Sequence, residues 1–416
     1  MKIQVERLMS DLTELSQFGR TGLREVTRPA LTPADLAARA WLSARMTEAG
    51  LAVRTDPALN QIGRLDCGRL SAPSVVIGSH LDSVPQGGVL DGALGVLAGL
   101  ECARTIKASG IALPWHLEVI NFTDEEGYRN AGTVGSRAMM GLVGDEELRR
   151  SKMPDRPPLI QILAELGHDP SQVPHARRQP GEIRAYLELH VEQGSRLEAQ
   201  GADIGVVTGI VGIYRYAITI AGRADHASMP MRGRVDALVS AAPLFLWLPQ
   251  WAMARSLSMV ATVGQLVLEP GATNIVPGKA RFVVELRSLD PADMAQVRAL
   301  VSEYVGARPG SSMETVLEKG SVRLDDCLQS LVTRAASAEG ATAVSLPSGA
   351  GHDAQSFAPY VPAAMVFVPS KGGRSHCAEE WTEPTQLQLG AQVLLRSLCL
   401  LAALDSGEEA GTCFGG

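Results

Sequence analysis

Three short runs of hydrophobic residues, each ending in polar side chains able to bind a cation, set the pattern of this chain. Ser74-Val75-Val76-Ile77-Gly78 and His116-Leu117-Glu118-Val119-Ile120-Asn121-Phe122 are too short for helices and apolar on both faces. That suits buried strands of a parallel sheet, and open α/β sheets collect ligands at the carboxyl ends of such strands. The first run leads into Ser79-His80-Leu81-Asp82-Ser83, with Asp91 following, and the second into Thr123-Asp124-Glu125-Glu126-Gly127. A third run, Ile183 to Leu189, delivers His190 in the same way. The pattern predicts that His80, Asp91, Glu125, Glu126 and His190 share one crevice.

Helical spacing fills the intervals. Val5 to Leu15 carries apolar residues at three and four spacing. Thr32-Pro33-Ala34-Asp35 predicts a Thr-capped helix closed at Gly50, with Leu36, Ala40, Trp41, Ala44 and Met46 facing the core. Ala93 to Ile106 predicts a helix starting beside Asp91, where the helix dipole favours an ionised carboxylate. Lys152 to Pro180 is a polar, Pro-rich excursion with a short helix over Leu159 to Leu166.

From Tyr214 the period changes. Tyr214–Ala221, Met259–Leu268, Ala280–Ser288 and Ser312–Leu317 read as strands, with helices over Val235–Met253 and Pro291–Val305. This β-α-β-β-α-β order predicts a four-stranded sheet with two helices on one face, a ferredoxin-like domain inserted into the first. A helix over Cys327–Glu339, a strand over Ala364–Pro369, a loop carrying His376 and a helix over Gln386–Leu401 complete the chain. The expected fold class is α/β, with a mixed, mostly parallel sheet covered by helices plus a smaller α+β insert. The expected domains are 1–211 and 323–416 for the larger body and 212–322 for the insert, with 405–416 a disordered tail.

Composition narrows the function. With 416 residues, 45% hydrophobic and 20% charged, the chain has the content of two or three globular domains. A net charge of −7 without long runs argues against a nucleic-acid partner and for a small-molecule one. The six cysteines form no CxxC pair, the start lacks an apolar signal core, and apolar stretches are interrupted before about 18 residues. A cytoplasmic protein with no membrane partner is expected.

The motifs Gly78-Ser79-His80-Leu81-Asp82-Ser83-Val84, Asp91-Gly92, Thr123-Asp124-Glu125-Glu126-Gly127, Glu188-Leu189-His190-Val191-Glu192-Gln193-Gly194, His226-Ala227, Ser348-Gly349-Ala350-Gly351-His352-Asp353-Ala354 and Ser375-His376 run in order over nearly the whole chain. Together they resemble the hydantoinase/carbamoylase family of amidases, among the dinuclear-metal aminoacylases and carboxypeptidases. The resemblance implies a homodimer with two divalent ions per subunit, hydrolysing N-carbamoyl-L-amino acids, β-ureido acids or allantoate.

By that resemblance His80, Asp91 and His190 hold one ion, and Asp91, Glu126 and His376 the other, with Asp91 bridging. An imidazole and carboxylate shell suits Zn²⁺, Mn²⁺, Co²⁺ or Ni²⁺. Glu125, beside a ligand, is expected to act as general base, and Asp82 to fix the tautomer of the His80 imidazole. The resemblance further implies that His226 donates to the oxyanion from the second subunit. It likewise implies that Asn274 and Arg287 bind a substrate carboxylate, while Gln193, Gly351 and His352 line the same pocket.

Each residue also has a plainer reading. Asp82 can cap a turn, His226 can pack at a dimer seam, Asn274 can serve a turn and Arg287 a surface ion pair. Gly351 can serve a turn alone, and Gln193 and His352 can be core hydrogen-bonders. Glu125 can instead support a ligand. His116, His168 and His175 read as structural. The rival substrates are allantoate and N-acyl amino acids, and the rival class is a catalytically silent metal- or ligand-binding relative.

Overall fold

Where the sequence alternates short apolar runs with amphipathic helices, the computed structural model forms a mixed α/β sheet flanked by helices; it describes residues 1–151, 156–256 and 258–407. The centre of a nine-stranded sheet runs in the order Gln61–Leu65, His116–Phe122, Ser74–His80, Ile183–Val191, Ala363–Val368, Ile204–Ile210. The four middle strands are parallel, and the flanking ones pair antiparallel. His80 lies level with Phe122, and His190 with Phe367, so the imidazoles arrive at the carboxyl ends of adjacent strands.

Both sheet faces are covered, which is why these strands lack polar alternation. On one side Val75, Ile77, Val119 and Leu189 pack with Leu8, Leu12, Leu94, Leu97, Leu394 and Leu398 from the helices Val5–Leu15, Ala93–Ser109 and Pro384–Ser406. On the other, Tyr186 stacks on Phe357 with ring centroids 4.2 Å apart, and both rings lie against Phe122. Gly78 lies under this cluster, where an added Cβ would sit 2.3 Å from the Phe122 ring.

Several expectations are corrected. The helix Pro33–Glu48 begins as predicted, but Thr32 makes no side-chain cap. Asp35 instead accepts from Leu31 N, and its buried face is Asp35, Ala38, Arg39, Leu42 and Met46. Leu36 and Trp41 are half-buried, and Ala40 and Ala44 are exposed. The reason is a buried Asp35–Arg39 ion pair at 2.7 Å, whose guanidinium also donates to Leu59 O, so charged residues occupy the inward stripe. Strands Ala52–Thr55, Gln61–Leu65, Ile204–Ile210 and Ala343–Ser348 were not expected.

The helix Pro384–Ser406 absorbs Asp405 and Ser406, placed in the tail by the sequence, and Asp405 pairs with Arg184 at 2.7 Å. The rest of that tail from 408, like 152–155 of the Pro-rich excursion, lies outside the described residues. By length and overall composition alone this helix would pass as a membrane span, although Gly390 and Arg396 interrupt its apolar run. Its apolar window is 78% buried within the protein, as a core helix requires.

Gly209–Arg323 together with Pro347–Ala350 forms a second compact unit. Its antiparallel sheet has the order Ser312–Lys319, Gly212–Ala221, Lys279–Ser288, Val260–Glu269. Tyr216, Ile218 and Ile220 point inward in strict alternation and pack with Leu244, Leu248, Val297 and Val301 of the helices Ala237–Met253 and Pro291–Gly306. The first helix starts at Ala237 rather than Val235 because the Asp236 side chain caps it by accepting from Val239 N.

Candidate metal centre

The loop after Ser74–His80 is clamped on both sides. Leu81 N donates to Asn121 Oδ1 at 2.9 Å, and Leu81 O accepts from the buried Arg28 Nε at 2.7 Å. His80 Nδ1 contacts the main-chain oxygen of Asp82 at 2.9 Å, leaving Nε2 to face the crevice. Next comes Asp91, followed by Gly92 at φ +64°, where a Cβ would lie 2.5 Å from the His80 ring. Only glycine fits between that backbone and the imidazole.

His190 closes in from the neighbouring strand, its Nδ1 on Val191 O at 2.9 Å and its Nε2 3.1 Å from Asp91 Oδ1. After the strand His116–Phe122 the chain turns sharply at Asp124, held at φ +53°. The Asp124 carboxylate accepts from Arg129 N and Asn130 N. Asp82 accepts from the backbone N–H of Glu125 at 3.3 Å and of Glu126 at 3.2 Å. His376, also at positive φ, brings Nε2 within 2.9 Å of Asp91 Oδ2 and 3.5 Å of Glu126 Oε1.

The two oxygens of Asp91 thus face different partners. His80, Asp91 and His190 form one group of ligand-type atoms, and Asp91, Glu126 and His376 another, each within 4.8 Å of one another. Tetrahedral ligands at roughly 2.0–2.1 Å from a cation lie about 3.3 Å apart, so these spacings suit coordination. Charge agrees. Asp82, Asp91, Glu188, Asp353 and Glu380 are buried, Glu125 and Glu126 nearly so, and Glu126 Oε1 lacks a hydrogen-bond partner among the described residues. Buried carboxylates in excess over the imidazoles facing them call for a cation.

The shifts follow the same geometry. Burial opposes ionisation of Asp91, but contacts to His190 and His376 hold it well below the usual carboxylate range. Burial would lower His190, yet Asp91 carries it up to about 9, and the Asp91 contact likewise lifts His376 to about 9. Burial, then Asp353 and Glu126, keep Glu125 well above the ordinary range, while burial lowers His80.

Comparison with known proteins places this geometry. Residues 76–399 match Peptidase family M20/M25/M40. The chain belongs to that family. Among its relatives is an N-carbamoyl-L-amino acid amidohydrolase of Geobacillus stearothermophilus, 39% identical over 96% of this chain and 99% of the relative. An allantoate amidohydrolase of Bacillus subtilis is 31% identical over 96% and 99%. A crystallised hydantoinase/carbamoylase family amidase from Burkholderia multivorans superposes with a TM-score of 0.88, at 34% identity over 95% and 97% of the two chains. This M20/M25/M40 protein is a hydrolase of amide C–N bonds.

The remaining predicted residues of the hydrolase fall into two sets. Gln193 Nε2 donates to Asp91 Oδ2 at 2.9 Å, and the His352 ring meets His190 edge-on at 4.5 Å, with Gly351 beside it. In the second unit, His226 pairs with Ile275 across a two-residue antiparallel ladder, which sets it next to Asn274; both are exposed. Arg287 donates to Glu285 Oε1 at 2.8 Å and to Gly349 O at 2.7 Å.

One expected contact is corrected. The Asp82 carboxylate lies 3.8 Å from His80 Nδ1, and the main-chain oxygen of Asp82 makes the close contact instead, because the carboxylate is engaged by Glu125 N and Glu126 N. Sequence reasoning also missed Glu380 and Arg28. Glu380 follows another acid and reads as a solvated loop. Arg28 precedes a proline in an unpatterned stretch, where nothing local marks its burial. A further group, Asp66, Cys67 and His116, has the Arg64 guanidinium 2.6 Å from His116 Nε2, which opposes a cation there.

Proposed function

We propose that this hydrolase cleaves the carbamoyl C–N bond of an N-carbamoyl-L-amino acid, releasing the amino acid, carbon dioxide and ammonia. The observation that carries the reading is the division of the Asp91 oxygens between His190 and His376, joined to relatives named N-carbamoyl-L-amino acid amidohydrolases at 39% and 38% identity. His80, Asp91 and His190 would hold one divalent ion, and Asp91, Glu126 and His376 a second, drawn from Zn²⁺, Mn²⁺, Co²⁺ or Ni²⁺. Such ions supply Lewis acidity towards an amide carbonyl and towards water.

Glu125 does the proton work. Its Oε2 is 3.6 Å from His80 Nε2, close to the ligand atoms without joining either group, and its backbone is fixed by Asp82. It takes a proton from the attacking water and returns it to the leaving nitrogen, so no acyl-enzyme forms. Gln193, with Gly351 and His352, lines the substrate pocket.

The inserted unit supplies recognition. Arg287, oriented by Glu285 and Gly349, presents a guanidinium fork for the substrate carboxylate, and Asn274 adds an amide. His226 donates to the developing oxyanion from the second subunit of a homodimer, in which the insert acts as lid and dimerisation domain. The enzyme works in the cytoplasm, in keeping with Cys67, Cys102, Cys327 and Cys377, which form no disulfide among the described residues.

Release of ammonia or of the free amine from a panel of N-carbamoyl, N-formyl and N-acyl amino acids and allantoate, with Mn²⁺, Co²⁺ or Zn²⁺ supplied, tests the reading. Turnover of N-carbamoyl-L-amino acids, lost on chelation, is expected. Selective turnover of allantoate would move the substrate to the class of the Bacillus subtilis relative.

A further inference from the structure

Glu380 is fully buried, yet no lysine or arginine pairs with it among the described ion pairs. Its Oε1 accepts from two consecutive backbone groups, Leu90 N at 2.8 Å and Asp91 N at 3.0 Å. Its Oε2 accepts from the Ser375 hydroxyl at 2.7 Å, and that hydroxyl also lies 3.4 Å from Asp91 Oδ2. Gly88 passes so close that a Cβ would meet Glu380 Oε1 at 2.2 Å, so the backbone is shaped around this carboxylate.

Burying an anion beside the Asp91 carboxylate costs free energy that three hydrogen bonds only partly offset. Packing alone gives no reason to place it there. The location does. One oxygen grips the peptide carrying Asp91 and the other grips the residue before His376, joining residues 284 positions apart through a single side chain.

We propose that Glu380 is a positioning residue that locks the shared carboxylate Asp91 and the His376 loop into one rigid frame, so that both ion positions form together. The proposal rests on the metal-centre reading above. Without Glu380, two buried N–H groups lose their acceptor and the Ser375-His376 segment loses its tie to Asp91. A glutamine retains an acceptor for both N–H groups, and Ser375 can accept from its amide, so Glu380→Gln keeps the frame while removing the charge.

The test is calorimetric titration of the metal-free full-length protein with Mn²⁺, alongside kcat and KM. Wild type is expected to take up two ions. Glu380→Ala should bind Mn²⁺ at least about tenfold more weakly, the scale for groups that orient ligands, with kcat falling more than KM rises. Glu380→Gln should recover most of the affinity. Wild-type affinity and stoichiometry in Glu380→Ala would overturn the proposal while leaving the metal centre standing. A wild-type protein that binds no Mn²⁺ would overturn both. If Glu380→Ala fails to fold, Ser375→Ala decides: a weakened second ion supports the frame, and unchanged binding of both refutes it.

Discussion

The carboxylate of Asp82 accepts the backbone N–H of Glu125 at 3.3 Å. It therefore reaches from the end of one strand to the end of the next and fixes the residue assigned to proton transfer. Asp82→Ala would leave the N–H groups of Glu125 and Glu126 without their acceptor in a buried loop. A fall in kcat of about 10- to 100-fold is expected, with His80 still able to bind because its Nδ1 is held by a main-chain oxygen. Steady-state kinetics with metal analysis checks this; an unchanged kcat would remove the role.

Glu125→Gln separates chemistry from binding. The substitution keeps shape and deletes the base, so turnover should drop by about 10²- to 10⁴-fold while both ions remain bound. Single-turnover rates on metal-loaded protein give the answer, and full activity would reassign the base.

Gly92→Ala probes the close approach to His80. At φ +64° and with a Cβ 2.5 Å from the ring, alanine must displace either helix start or imidazole. A stability loss of about 1–3 kcal/mol in chemical denaturation of metal-free protein, with weakened metal binding, is expected. Wild-type stability would mean that the ring has room to move.

Arg28→Met tests the clamp behind the site. The guanidinium donates to Leu81 O at 2.7 Å and to Leu15 O and Phe18 O at 2.9 Å each, and methionine leaves all three carbonyls without that donor, the first two in buried surroundings. Denaturant unfolding should show a loss of about 2–4 kcal/mol. A loss under about 0.5 kcal/mol, the scale of a neutral surface change, would contradict the clamp.

Much of this arrangement is legible in the sequence because strand ends are. Val75–Val76–Ile77, Val119–Ile120 and the run Ile183–Leu189 announce buried strands, and His80, Glu125 and His190 stand at or just beyond their ends, so local pattern and site location coincide. What local pattern does not carry is long-range contact. Asp35 and Arg39 sit on the buried face of an amphipathic helix only because they pair with each other and reach Leu59. Glu380 becomes a ligand support only when the fold brings its loop to Leu90. In the strand Gln61–Leu65 the buried Gln61 donates to the backbone oxygen of Arg39 and accepts from Asn121 Nδ2, so a polar residue stands at an inward position and the strand shows no clean period.

The central claim is that Asp91 is shared by two cations. A crystal structure of the Mn²⁺-loaded protein, with anomalous scattering locating the metal, tests it most directly. Two peaks are expected, one beside Asp91 Oδ1 with His80 and His190 and one beside Oδ2 with Glu126 and His376. A single peak, or two that do not both touch Asp91, would contradict the account.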